Sequence, residues 1–177
     1  MGTKSLRLFL DACTIVCAHE INRWEAIISR CRIVVPSTVV RESKYFDDTP
    51  EAQHRIVMAD YVKSGRIQEV EASDIELEEL LDSLGPVRKL FLLGKGEHEA
   101  LALMLSGSLS DYSFCTADAA AIQAATVLGL RQRLISLEQV LETIGQSTAL
   151  PKQYGDEFVR KHIAVGAQLR IRYGMTE

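Results

Sequence analysis

The chain has 177 residues, 47% of them hydrophobic and 25% charged, which suits one globular core and excludes disorder, collagen-like repeats and stapled miniproteins. The net charge of −4 provides no global basic field for nucleic acid, but acids gathered in one cleft can dominate that sum. Apolar runs such as Leu90-Phe91-Leu92-Leu93 are too short to cross a membrane, and the N-terminal run stops at Asp11, too early for a secretory signal. A cytoplasmic protein with no membrane partner is expected.

The chain reads first as a buried strand, Leu6 to Leu10, which ends at the polar step Asp11-Ala12-Cys13-Thr14. Ile15, Ala18, Ile21, Trp24 and Ile28 then recur at helical spacing, predicting one amphipathic helix from Thr14 to Cys31. Arg32 to Val35 is a short strand closed by Pro36, after which a helix carries Val39, Val40, Arg41, Glu42 and Tyr45. Thr49-Pro50-Glu51 has the cap, proline and acid of a helix start, predicting a helix to about Lys63 that Gly65 stops. Arg66 to Ala72 reads as a strand. Ser73-Asp74 caps an acidic helix whose Glu76, Glu78, Glu79 and Asp82 form a solvated face.

Gly94-Lys95-Gly96 precedes a strong helix from Glu97 to Met104. Tyr112 to Cys115 is a strand, followed by Thr116-Ala117-Asp118 and an alanine-rich helix ending at Gly129. Arg133 to Ile135 is a further strand, Ser136 caps a helix, and a last amphipathic helix with Phe158, Ile163, Leu169 and Ile171 follows Pro151. Strands alternating with helices predict an α/β fold with a parallel sheet. The last helix lies outside that alternation, as an appendage or an oligomer contact of a homodimer or larger assembly.

Cys13, Cys17, Cys31 and Cys115 form no C-x-x-C pair, and His19, His54, His98 and His162 form no H-x-x-x-H, so neither a disulfide framework nor a zinc site is expected. All four cysteines are read as small buried apolar residues. Acids, in contrast, stand where a parallel sheet gathers its functional groups, beyond the carboxyl ends of strands. Asp11 follows the first strand and Asp118 follows Cys115 by three positions; Glu42, Glu97 and Glu99 lie on helices that can face the same edge. Oxygen ligands without His or Cys suit Mg²⁺ or Mn²⁺, and carboxylates brought together repel unless a cation neutralises them. A metal so held serves hydrolysis of a phosphate ester. Each acid also has a plainer reading: Asp11 as a helix cap, Glu42 as a solvated helix residue, Glu97 as a first-turn acid.

Leu8-Phe9-Leu10-Asp11-Ala12-Cys13, Val35-Pro36-Ser37-Thr38-Val39-Val40-Arg41-Glu42, Gly94-Lys95-Gly96-Glu97-His98-Glu99-Ala100-Leu101-Ala102-Leu103 and Cys115-Thr116-Ala117-Asp118 occur in this order. Together, from about Leu6 to Ile144, they resemble the PIN-domain ribonucleases, the toxin components of many prokaryotic toxin–antitoxin pairs. The resemblance implies a three-layer α/β/α fold with about five mostly parallel strands in residues 1–150, with residues 151–177 as a C-terminal helical extension. It implies a metal-dependent endoribonuclease with RNA as substrate, a possible antitoxin partner, and Asp11, Glu42, Glu99 and Asp118 around Mg²⁺ or Mn²⁺. Glu99 directly precedes the Ala-Leu-Ala-Leu run as the family's helix acid does; Glu97 stands two positions earlier, and residues two apart do not share a helix face. Thr116 is the hydroxyl that supports the metal or a phosphate. Asp118 is followed by Ala119-Ala120-Ala121, so a further acid found in many relatives is missing. RNA would enter past Arg41, Lys44, Lys95, Arg131 and Arg133.

Two rival readings are a protein-binding module that keeps the fold without catalysis, and a haloacid-dehalogenase-like phosphatase. The second would place Cys13 where that family has its acid–base aspartate, a poor substitution. Gly94-Lys95-Gly96 lacks the ending of a phosphate loop, and neither G-x-S-x-G nor G-x-G-x-x-G occurs.

Overall fold

The computed structural model describes residues 5–41, 44–49 and 52–175. In chain order the elements are β1 (Leu6–Leu10), α1 (Ala12–Glu20), α2 (Trp24–Arg30), β2 (Cys31–Pro36), α3 (Ser37–Arg41), β3 (Lys44–Thr49), β4 (Ala52–Ile56), α4 (Met58–Lys63), β5 (Gln68–Val70) and α5 (Asp74–Leu84). They continue with α6 (Lys95–Leu105), β6 (Ser113–Cys115), α7 (Ala119–Val127), β7 (Leu134–Ile135), α8 (Leu137–Thr143) and α9 (Asp156–Arg172).

Five strands form one sheet in the order β5-β2-β1-β6-β7, and every neighbouring pair is parallel. Such strands are covered on both faces, which is why β1 and β2 are apolar at nearly every position rather than alternating with polar residues. Successive side chains point to opposite faces. Leu8, Leu10, Ile33, Val35 and Cys115 pack on one side with Ile15, Trp24, Ile27, Leu137 and Leu141 from α1, α2 and α8. Phe9, Val34 and Phe114 pack on the other with Leu80, Leu101, Met104, Ala121 and Ala125 from α5, α6 and α7. The result is an α/β fold with a central parallel sheet between two helical layers, as expected.

Several local expectations differ. The single helix expected from Thr14 to Cys31 is two, because the chain turns at Asn22, whose φ of 54° is a left-handed conformation that asparagine tolerates. The helix expected from Thr49 to Lys63 is confined to α4: Thr49 ends a strand, Pro50 and Glu51 lie outside the described residues, and β3 pairs antiparallel with β4. Tyr45, expected on a helix, stands in β3 opposite Arg55. Cross-strand pairing overrides local propensity here. The strand expected from Arg66 to Ala72 shrinks to β5, a short edge strand of the kind that resists edge-to-edge association. The acidic helix is α5, closed by a reciprocal cap in which Ser73 N–H donates to Glu76 Oε2 at 2.8 Å and Glu76 N–H to Ser73 Oγ at 3.3 Å.

The alanines of α7 leave room for α9 to approach. Gly166 sits at the crossing, where an added Cβ would lie 2.7 Å from Thr126 Cβ and 2.8 Å from Gln123 O. Val159 of α9 is buried, and Leu169 packs against the core cluster that includes the alanines of α7. Gly166→Val should therefore lower the unfolding free energy by about 1–3 kcal/mol, the usual cost of overpacking. A urea titration of the variant checks this. No helix among the described residues is long and apolar enough to cross a membrane.

Candidate active site

The strand order reverses between β1 and β6: the chain moves out through β2 and β5, then returns to the other side of β1. In an open parallel sheet the crevice beyond the carboxyl ends at such a reversal is where ligands bind. Both strands that flank it run into an acid. Asp11 follows Leu10 directly and is only 3% exposed; Asp118 follows Cys115 through Thr116 and Ala117 and is half-buried.

Each aspartate caps the helix it precedes, so capping and a role in the crevice coexist. Asp11 Oδ1 accepts from the amide of Thr14 at 2.8 Å, and Asp118 Oδ1 accepts from the amide of Ala121 at 2.7 Å. The other oxygen of Asp11 accepts from the thiol of Cys13 at 2.9 Å and from the hydroxyl of Thr116. That hydroxyl also accepts from the amide of Asp118 at 3.0 Å, so Thr116 ties the two acids together. Asp118 Oδ2 has no protein donor among the described residues. Cys13 thus departs from the expectation for the cysteines. Its thiol is a hydrogen-bond donor, kept protonated by burial and by the charge of Asp11. Cys17, Cys31 and Cys115 are buried thiols, as expected.

The two glutamates on α6 divide. Glu97, in the first turn, lies half-buried over Gly94, where an added Cβ would strike Glu97 Oε2. Burial raises its carboxyl pKa above the ordinary value, as do the negative charges of Asp11 and Asp118. Glu99 is 5% exposed and held by protein donors on both oxygens. Ser37 Oγ donates to Oε1 at 2.9 Å, Ala72 N–H to Oε1 at 3.2 Å, Thr38 N–H to Oε2 at 3.0 Å, and Thr38 Oγ1 to Oε2 as well. Burial would push its pKa up, but these hydrogen bonds outweigh it and hold the carboxyl below the ordinary value. The structure therefore brings Glu97, rather than Glu99, into the field of the two aspartates, while Glu99 fastens α6 to α3 and to the start of α5. Glu42 lies outside the described residues, one position beyond α3.

Asp11, Asp118 and Glu97 repel one another and offer only oxygen, a donor set that fits Mg²⁺ or Mn²⁺. Among the described residues no three Asp, Glu, His or Cys side chains already converge on one ion. The repulsion has a measurable consequence. A group whose folded-state pKa is raised contributes stability below its unfolded pKa of about 4.3 and loses it as pH rises through the folded value. Glu97→Gln keeps an oxygen for the Gly94 amide and removes the charge. It should raise the melting temperature of the metal-free chain at pH 7 by about 2–4 °C, a response to about 1 kcal/mol, with no gain at pH 4. Thermal denaturation at the two pH values checks this.

Of the basic residues expected at the entrance, Arg133 is committed elsewhere: its guanidinium donates to the carbonyls of Met104 at 2.8 Å, Tyr112 at 3.2 Å and Leu109. Arg41 pairs with Glu71 at 2.9 Å on the surface. Lys95 is exposed in the first turn of α6; Arg131 is exposed too, but it follows the far end of α7 and precedes β7, at the edge of the sheet opposite the crevice; the side chain of Lys44 lies outside the described residues. One contact had no signal in the spacing of motifs. The Tyr154 hydroxyl, far along the chain, donates to the carbonyl of Cys13 at 3.2 Å, which brings the C-terminal segment to the wall of the crevice.

No protein-family model, no curated protein and no solved structure matches the chain in comparisons with known proteins.

Proposed function

We propose that this chain is a PIN-like, Mg²⁺- or Mn²⁺-dependent endoribonuclease that hydrolyses phosphodiester bonds of RNA. The observation that carries the reading is the Asp11–Thr116–Asp118 linkage at the sheet reversal, with the pKa of Glu97 raised by burial and by the charges of both aspartates. Asp11, Asp118 and Glu97 would hold the cation, with Glu42 as a further acid on the chain that follows α3. The bound cation would supply an activated water and neutralise charge on the phosphate.

The chain's own residues prepare the place. Three donors, from Thr14, Cys13 and Thr116, fix the orientation of the Asp11 carboxylate. Thr116 sets the spacing of the aspartates. The N-terminal ends of α1 and α7 point their positive dipoles at the same edge, which favours an anionic substrate. Lys95, in the first turn of α6 beside Glu97, is an exposed cation available to guide RNA.

The test is incubation of the purified full chain with single-stranded RNA in Mn²⁺, in Mg²⁺ and in EDTA. Cleavage that needs the cation supports the reading. Cleavage unchanged in EDTA, or no cleavage of any RNA in Mn²⁺, contradicts it, and the latter favours the protein-binding module. A toxin role in the cytoplasm, with an antitoxin as partner, is the cellular form of the same proposal; growth arrest on expression, relieved by that partner, is its expected sign.

A further inference from the structure

The C-terminal helix packs one more polar side chain against the half of α7 that begins at Asp118. α9 and α7 run side by side in the same direction: Gly166 meets Gln123 and Thr126, and one turn later Arg170 Nη1 donates to Val127 O at 3.0 Å. One turn before Gly166, toward the end of α7 that Asp118 caps, stands His162. Its Nδ1 lies 2.8 Å from Gln123 Nε2, and its ring is 4.4 Å from that of Phe158, centroid to centroid.

These contacts hold the ring in place. With the Gln123 amide oriented so that its NH₂ group faces the ring, Nδ1 accepts from it, the tautomer that carries the ring proton on Nε2. Phe158 holds the ring plane from α9 itself. Burial and the charge of Lys161 lower the histidine's pKa, while Asp118 is near enough for its charge to oppose them. One C-terminal segment thus bonds Tyr154 to the carbonyl next to Asp11 and packs His162 on Gln123, in the half of α7 that begins at Asp118.

We infer that His162 is a substrate-binding residue of this site, its Nε2–H donating to a phosphate oxygen of the RNA strand as it passes the acids. Gln123 is then a positioning residue that sets the tautomer. The inference rests on the nuclease reading above and adds a group from outside the acidic motifs. A half-buried, oriented donor at the edge of an acidic cluster suits an oxyanion better than it suits packing, for which Phe158 alone would serve.

The test compares the wild-type full chain with His162→Phe and His162→Gln in Mn²⁺-dependent cleavage of a single-stranded oligoribonucleotide, with melting temperatures measured alongside. His162→Phe keeps an aromatic ring against Phe158 and loses the donor. It should raise KM about tenfold, the effect of losing one hydrogen bond to a charged group, while kcat stays within twofold. His162→Gln retains an N–H donor and should recover part of that loss. Unchanged KM in a stable His162→Phe variant, or a loss confined to kcat, overturns the inference and leaves the nuclease reading standing. If His162→Phe is less stable than wild type, His162→Gln with wild-type stability and wild-type KM supports the inference, and the same variant with KM raised as far as in His162→Phe overturns it. Absence of cleavage by the wild type overturns both.

Discussion

Asp11→Asn is expected to lower metal-dependent RNA cleavage about 10³-fold, or about 4 kcal/mol of activation free energy, with the fold intact. The substitution is nearly isosteric, and the new amide can keep most of the local bonding. Its oxygen can still accept from the Thr14 amide at 2.8 Å, and its NH₂ group meets Cys13 Sγ and Thr116 Oγ1, both able to accept. The negative charge is what disappears. Asp11 stands at the sheet reversal beside Asp118, and without its charge the crevice attracts a divalent cation far less. Single-turnover cleavage in Mn²⁺, together with a urea midpoint close to wild type, is the result that separates lost chemistry from lost structure. A midpoint far below wild type would instead make Asp11 chiefly the cap of α1.

Glu99→Ala should have the opposite profile, a large loss of stability. Its carboxylate satisfies the Ser37 and Thr38 hydroxyls and the amides of Thr38 and Ala72 in a buried position. Removing it leaves buried donors without an acceptor and detaches α6 from α3 and from the turn before α5. A cost of about 3–5 kcal/mol is expected, a large share of a domain's total of about 5–15 kcal/mol. The pH dependence follows from the depressed pKa. A carboxylate whose folded-state pKa lies below its unfolded value of about 4.3 contributes stability above that value and loses it as pH falls through the folded one. The gap between wild type and Glu99→Ala should thus be full at pH 7 and narrow toward pH 3. Urea titrations across that range check it, and a gap that does not change with pH would show that the ionised form is not what the site rewards.

These two acids also mark how far the sequence could be read. Asp11 and Asp118 were legible because both follow apolar strands, and the place where a parallel strand ends is where its side chains meet ligands. The choice between Glu97 and Glu99 was not. Their spacing says only that they face differently; the direction is decided by Ser37, Thr38 and Ala72, which stand 62, 61 and 27 positions away along the chain. The sheet and the helices on its two faces could be read from alternation, whereas the β3–β4 hairpin could not, because its strands stabilise each other across the ladder and carry a helix-start pattern between them. Cys13 carried no sign of its bond to Asp11, since a thiol donor looks in sequence like any small buried residue. The C-terminal segment is legible as an amphipathic helix, but its place beside α7 depends on Gly166, whose missing side chain signals close approach only once the partner helix is known.

The measurement that bears most directly on the metal-dependent reading is Mn²⁺ located by its anomalous scattering in soaked crystals of the full chain. Density beside Asp11, Asp118 and Glu97, absent from Asp11→Asn crystals soaked alike, is the result expected. Mn²⁺ bound elsewhere, or bound equally in both, would contradict a metal centre at the sheet reversal.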